Sequence, residues 1–167
     1  LFARLGELHC PDCNRLLVSR TPNDIAASLG QEYPETRIKI LAPLVRGRKG
    51  HHHDIIQKAR RDGYNEIRID GHLVLLRNIF AVKRYHEHKI ELVTAEIIPG
   101  HDGTQHLQIE VNRALAIGRG EMLIITPDQR EHFFSTRFFC PDCRLSAAQP
   151  DPRLFSFNSR SGACPTC

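Results

Sequence analysis

Apolar positions along this chain switch between a period near 3.6 and a period of two, and the switches mark its elements. Thr21 to Gln31 (TPNDIAASLGQ) offers a capping threonine and a proline at the first helical position, then apolar residues at helical spacing. Thr36 to Val45 (TRIKILAPLV) is β-rich and closed by Pro43, and RGRKG after it reads as a loop. His51 to Gly63 (HHHDIIQKARRDG) predicts a helix ended by glycine. Asn65 to Leu76 holds two short strands, NEIRIDG and HLVLL, joined through Gly71. Lys89 to Ile98 (KIELVTAEII) is a further strand stopped by Pro99. Gly103 to Gly118 is the clearest amphipathic helix, with Leu107, Val111 and Leu115 on one stripe. EMLIITP and HFFSTRFF add two more strands. Helices and strands intermingle, so the expected class is α+β (mixed α/β): a small mixed sheet with packed helices, plus a knuckle module formed by the chain ends.

Composition changes this picture little. Hydrophobic residues make up 41% and charged residues 25% of 167, enough apolar surface for a real core. No apolar run approaches the ~18 residues of a membrane span, and no signal peptide is visible. The opening LFARLGELHC, without Met, reads as the interior of a longer reading frame. The net charge of +4 permits contact with phosphate or an acidic protein without requiring either.

The six cysteines change it more. They fall into three CPxC pairs, Cys10/Cys13, Cys140/Cys143 and Cys164/Cys167. Paired cysteines without a signal peptide point to metal in a reducing cytoplasm rather than to disulfides. Cys140-x2-Cys143-x20-Cys164-x2-Cys167 has the spacing of a four-thiolate zinc shell, which is structural because no position stays open for water. Cys10/Cys13 is half a site. His9 or the triplet His51–His53 would complete it as a mixed shell, or ligands beyond the chain would.

Other patterns argue against catalysis within the chain. HHHD at 51–54 is consecutive, and helix neighbours face different ways, so a solvated helix start explains it better than a hydrolytic metal site. Arg46, Arg48 and Lys49 in RGRKG precede a helix, yet the stretch lacks the GxxxxGK[ST] spacing of a P-loop. No catalytic triad or carboxylate pair assembles from local spacing. Around the last knuckles, Arg153, Arg160, Phe155 and Phe157 offer an alternative function as a nucleic-acid-binding zinc module, against packing of the two rings as a small core.

LFARLGELHCPDC, LAPLVRGRKG, GYNEIRIDG, FFCPDC and PRLFSFNSRSGACPTC, in that order, resemble the UvrA family of bacterial nucleotide-excision-repair ATPases. The resemblance implies that residues 21–130 are an inserted domain that binds a UvrB-type partner. It makes 1–20 and 131–167 the two crossings to a signature domain and its zinc module. ATP binding, DNA contact and homodimer formation would belong to the full-length protein, not to this segment. The family often has His at the position of Cys13, implying a Cys/His metal pair there. Family strands commonly carry arginine where Glu66 and Glu96 stand, while Arg68 is kept. The resemblance therefore implies a partner surface of Arg68 with Arg46, Arg48 and Lys49, altered by two charge reversals. Either the partner carries compensating basic residues, or this is a divergent paralogue with another partner.

Overall fold

A computed structural model describes residues 6–140, 143, 145–147, 152–156, 158, 159 and 163. The chain forms two compact units, one from Thr21 to Thr136 and one from the stretches that flank it. The central unit is a six-stranded sheet with helices, of the expected α+β class. Its elements are α1 (Pro22–Glu32), β1 (Ile38–Lys49), α2 (His53–Arg61), β2 (Glu66–Ile69), β3 (His72–Leu75), β4 (Glu87–Ile97), the short α3 (Pro99–Asp102), α4 (Thr104–Ile117), β5 (Glu121–Ile125) and β6 (Glu131–Ser135).

Local chemistry starts α1 where the sequence places it. Thr21 accepts the Asp24 N–H at 3.2 Å, and the Asp24 carboxylate accepts the Thr21 N–H at 3.0 Å, a reciprocal capping box. Ile25, Ala26 and Leu29 are its buried face, and Leu107, Val111, Ala114 and Leu115 are that of α4. These faces close over Ile38, Ile40, Met122 and Ile124 of the sheet. A second core under α2 joins Ile56 and Ala59 to Val45, Ile67, Ile90 and Leu92.

Strand order is β3-β2-β4-β1-β5-β6, with every pairing antiparallel rather than mixed. The reason is interleaving. The crossover through α2 joins β1 to β2, and that through α3 and α4 joins β4 to β5, in each case strands of one direction. Yet β4 lies between the first pair and β1 between the second, so no two parallel strands touch. The β2–β3 hairpin turns on Asp70 and Gly71, both at positive φ (50° and 87°), as a two-residue turn between twisted strands requires.

Two boundaries differ from the sequence reading. RGRKG is not a loop, because β1 continues through Pro43 to Lys49 and pairs Arg48 and Lys49 with His88 and Glu87. Register shifts on either side of Val45 absorb the proline, which has no N–H to give the ladder. Likewise β6, in the stretch assigned to the second crossing, is the outer strand of the sheet, with Phe134 buried against the helix-side core.

The other sheet face carries no helix among the described elements, yet Leu41 and Leu123 on it are fully buried with Val93, Ile125 and Phe133. Curvature covers them. In a flat sheet β2 and β6 would lie roughly 19 Å apart, four strand spacings. Arg68 of β2 nevertheless pairs with Glu131 of β6. The three register shifts between β1 and β4 supply the bend that brings them together.

The flanking unit contains a tight turn around Cys10–Cys13 and a hairpin of β7 (Phe138–Cys140) and β8 (Leu145–Ala147). Val18 bridges to Phe139, and Leu8, Leu17, Phe138 and Ala147 pack about the cysteines.

Candidate functional site

Two constellations stand out, one in each unit. In the flanking unit, the first knuckle is held by Cys10 N–H to Arg15 O at 2.8 Å and Asn14 N–H to Cys10 O at 2.9 Å, with Asn14 at positive φ. The second knuckle leaves the end of β7. Together they gather Cys10, Cys13, Cys140 and Cys143, whose sulfurs all lie within 4.8 Å of one another. Cys13 Sγ and Cys140 Sγ are 3.4 Å apart, and all four thiols are free. A tetrahedral zinc with bonds of ~2.3 Å has S···S edges of about 3.8 Å, so the cluster fits that ion with little movement.

The electrostatics fit as well. The Cys13 backbone N–H, aimed at the Cys10 sulfur, is the main influence holding that thiol down to about 7. The thiol of Cys13 beside it pushes Cys143 far up. Such neighbouring thiols cannot all ionise without a cation to share, and Cys10 and Cys140 are buried.

Among the described residues, Cys140 and Cys143 stand with the first pair. They meet Cys10 and Cys13, while Cys164 and Cys167 lie outside the described residues. Among the histidines considered for the first knuckle, His9 Nδ1 turns to the Asn14 carbonyl at 2.9 Å. His51 and His52 turn to the carbonyls of Val82 and Arg48, and His53 to Gln57. Of the alternative zinc-module surface, Arg153 is exposed, and Phe157 and Arg160 lie outside the described residues.

In the central unit the open sheet face carries a charge network. Arg68 stands opposite Glu91 in register and bonds it at 3.0 Å, and its other arm reaches Glu131. Lys89 joins the same two carboxylates, at 2.8 Å from Glu91, and lies 5.2 Å over the Phe133 ring. Lys39 holds both Glu66 and Glu96, and Arg37 also reaches Glu96 at 3.1 Å. Lys39, and more weakly Arg37, hold the Glu96 carboxyl below its ordinary range despite partial burial. Four cations thus meet four carboxylates, and the face is balanced.

The candidate partner residues land in different places. Arg68 is only 8% exposed and gives its guanidinium to carboxylates of its own chain. Glu66 and Glu96 converge on one lysine and form a single local cluster. Arg46 pairs with Glu121. Arg48 and Lys49 are exposed at the far end of β1. Sequence reasoning missed Lys39, Glu91 and Glu131, although the alternation of KIELV carried the signal that Lys89 and Glu91 share a face.

A model of the UvrA interaction domain family matches residues 20–128. The chain is similar to UvrABC system protein A of Bacillus subtilis, 38% identical over 168 residues that cover all of this chain and 18% of that protein. The Thermus thermophilus protein of the same name is 36% identical over 170 residues, again covering the whole chain and 18% of the relative. That of Treponema pallidum is 34% identical over 183 residues, with 19% of the relative covered. The chain thus spans under a fifth of the length of these curated relatives.

Proposed function

Because the chain belongs to the UvrA interaction domain family, we propose that it recruits a UvrB-type partner to a UvrA-type nucleotide-excision-repair ATPase. The family match over residues 20–128 carries this reading. The docking surface is the open face of the sheet, where Glu66 and Glu96 stand at positions that the resemblance expects to be arginine. Their pairing with Lys39 supports a face that selects its partner by the pattern of its charges, with no net attraction to a polyanion. ATP turnover, duplex-DNA contact and homodimer formation belong to the rest of the protein, which works in the reducing cytoplasm.

Zinc is the second part of the proposal. Cys10, Cys13, Cys140 and Cys143 hold a structural ion that ties the two crossings together, and a filled four-thiolate shell leaves no position for substrate. Cys164 and Cys167 then form half of another site.

Calorimetric titration of the zinc-loaded chain with the UvrB-type protein of its own organism tests the partner. The expected result is saturable binding at micromolar concentration or tighter, weakening as salt rises. Absence of binding at tens of micromolar would remove the partner and leave the family intact.

A further inference from the structure

The charges of the central unit are unevenly placed. Between Arg46 and His88 the sequence holds ten Lys and Arg against five Asp and Glu, whereas the remainder holds thirteen against fourteen. The excess lies at one end of the sheet, where three pieces of chain are tied together. His52 Nε2 meets the Arg48 carbonyl at 2.9 Å, joining the end of β1 to α2. Val82 N–H donates to the His51 carbonyl at 3.1 Å, and Arg60 donates to the Ile79 carbonyl at 2.6 Å, joining the 79–86 loop to α2. His88 Nε2 lies 2.8 Å from the Lys83 carbonyl and closes the lobe onto β4.

Two features separate this lobe from the open sheet face. Arg48, Lys49, Lys58, Arg61, Lys83 and Arg84 are exposed and form no ion pair among the described residues, whereas the sheet-face cations are all paired. Phe80 and Tyr85 are also the two most exposed large apolar side chains among the described residues, at 65% and 79%. Each has a guanidinium over its ring, Arg60 at 4.9 Å from Phe80 and Arg84 at 5.8 Å from Tyr85. The stacked cation helps hold each ring in place while its exposed surface remains wet.

We infer that this lobe is a binding site for single-stranded nucleic acid, with the unpaired cations following phosphates and Phe80 and Tyr85 stacking on bases. Unpaired cations beside exposed rings are the combination such strands use, because each nucleotide presents a charge and a flat face together. An acidic protein segment would match the charge but has no flat faces for two rings. Bases inside a duplex have none free. The inference does not depend on the partner proposed above, since the lobe and the open sheet face use different residues.

Fluorescence anisotropy of a labelled oligothymidylate with the zinc-loaded chain, over a range of salt, tests it. The double variant Phe80→Ala/Tyr85→Ala should weaken binding at least about tenfold and leave the salt slope unchanged. Lys58→Gln/Lys83→Gln, which spares both arginine–ring pairs, should lower the slope of log affinity against log salt by about 1.4 for two lost phosphate contacts. The substituted side chains are on the surface, and an unchanged circular dichroism spectrum confirms folding. Three results would overturn the inference. One is no oligothymidylate binding, and another is binding that neither variant alters. The third is duplex or polyglutamate competing as well as the single strand, which would assign the lobe to charge alone.

Discussion

Arg68 is held between two carboxylates, and one of them, Glu91, is 1% exposed. Truncating the arginine leaves that buried charge facing Lys89 alone, so Arg68→Ala should cost about 3 kcal/mol in urea unfolding. The double change Arg68→Met/Glu91→Leu should recover most of the loss, because it removes both buried charges. The sequence marks Arg68 as notable but not as internally paired, since its partners lie 23 and 63 residues away. His88 makes a second residue-scale prediction. Its bond to Asp70 at 2.7 Å, helped by the Lys83 carbonyl, raises its pKa above the ordinary 6.5 despite burial. Burial opposes the Asp70 charge, but the Lys89 N–H and His88 outweigh it and hold that carboxyl below 3.8. The stabilisation is therefore complete between those two ordinary values. It fades as pH rises through the folded-state pKa of His88, or falls through that of Asp70. His52 and His86 also face His88, and Lys83 lies beside it. Thermal melts at pH 5.5 and 8.5 should show His88→Gln losing more stability, relative to the parent chain, at the lower pH; an equal loss at both would contradict the pairing.

At the scale of elements, the turn from α4 into β5 depends on a missing side chain. A Cβ at Gly118 would lie 1.9 Å from the Glu121 carbonyl oxygen and 2.9 Å from Pro43 Cδ. The φ of −79° is ordinary, so close approach rather than backbone freedom demands glycine. Gly118→Ala should cost about 2–3 kcal/mol by overpacking, read from the same unfolding curves. Elements with local signals were legible in the sequence. The Thr21 cap and Pro22 at the first helical position started α1, and the Leu107, Val111, Leu115 stripe defined α4. Elements shaped by distant pairing were not. Pro43 and Gly47 read as breakers, yet bulged pairing with β4 carries β1 past both. Strand direction was also hidden, because interleaving of two crossovers is a property of the whole sheet.

At the scale of the molecule, the thiol cluster shows the same limit. The x20 spacing between the second and third pairs suggested one shell, whereas the fold brings the second pair to the first across 127 residues. Zinc content separates the two sets. Cys10→Ser should release the ion of the four-thiol cluster, and Cys164→Ser should leave it in place. The reverse result would return the site to the C-terminal pairs. The most direct test of the partner surface is an amide NMR titration of the isotopically labelled, zinc-loaded chain with its organism's UvrB-type protein. The account predicts that signals of Lys39, Glu66, Arg68, Glu91, Glu96 and Glu131 shift or broaden first, with the 79–86 loop unaffected. Perturbation confined to that loop, or to the helix-covered side at α1 and α4, would contradict it.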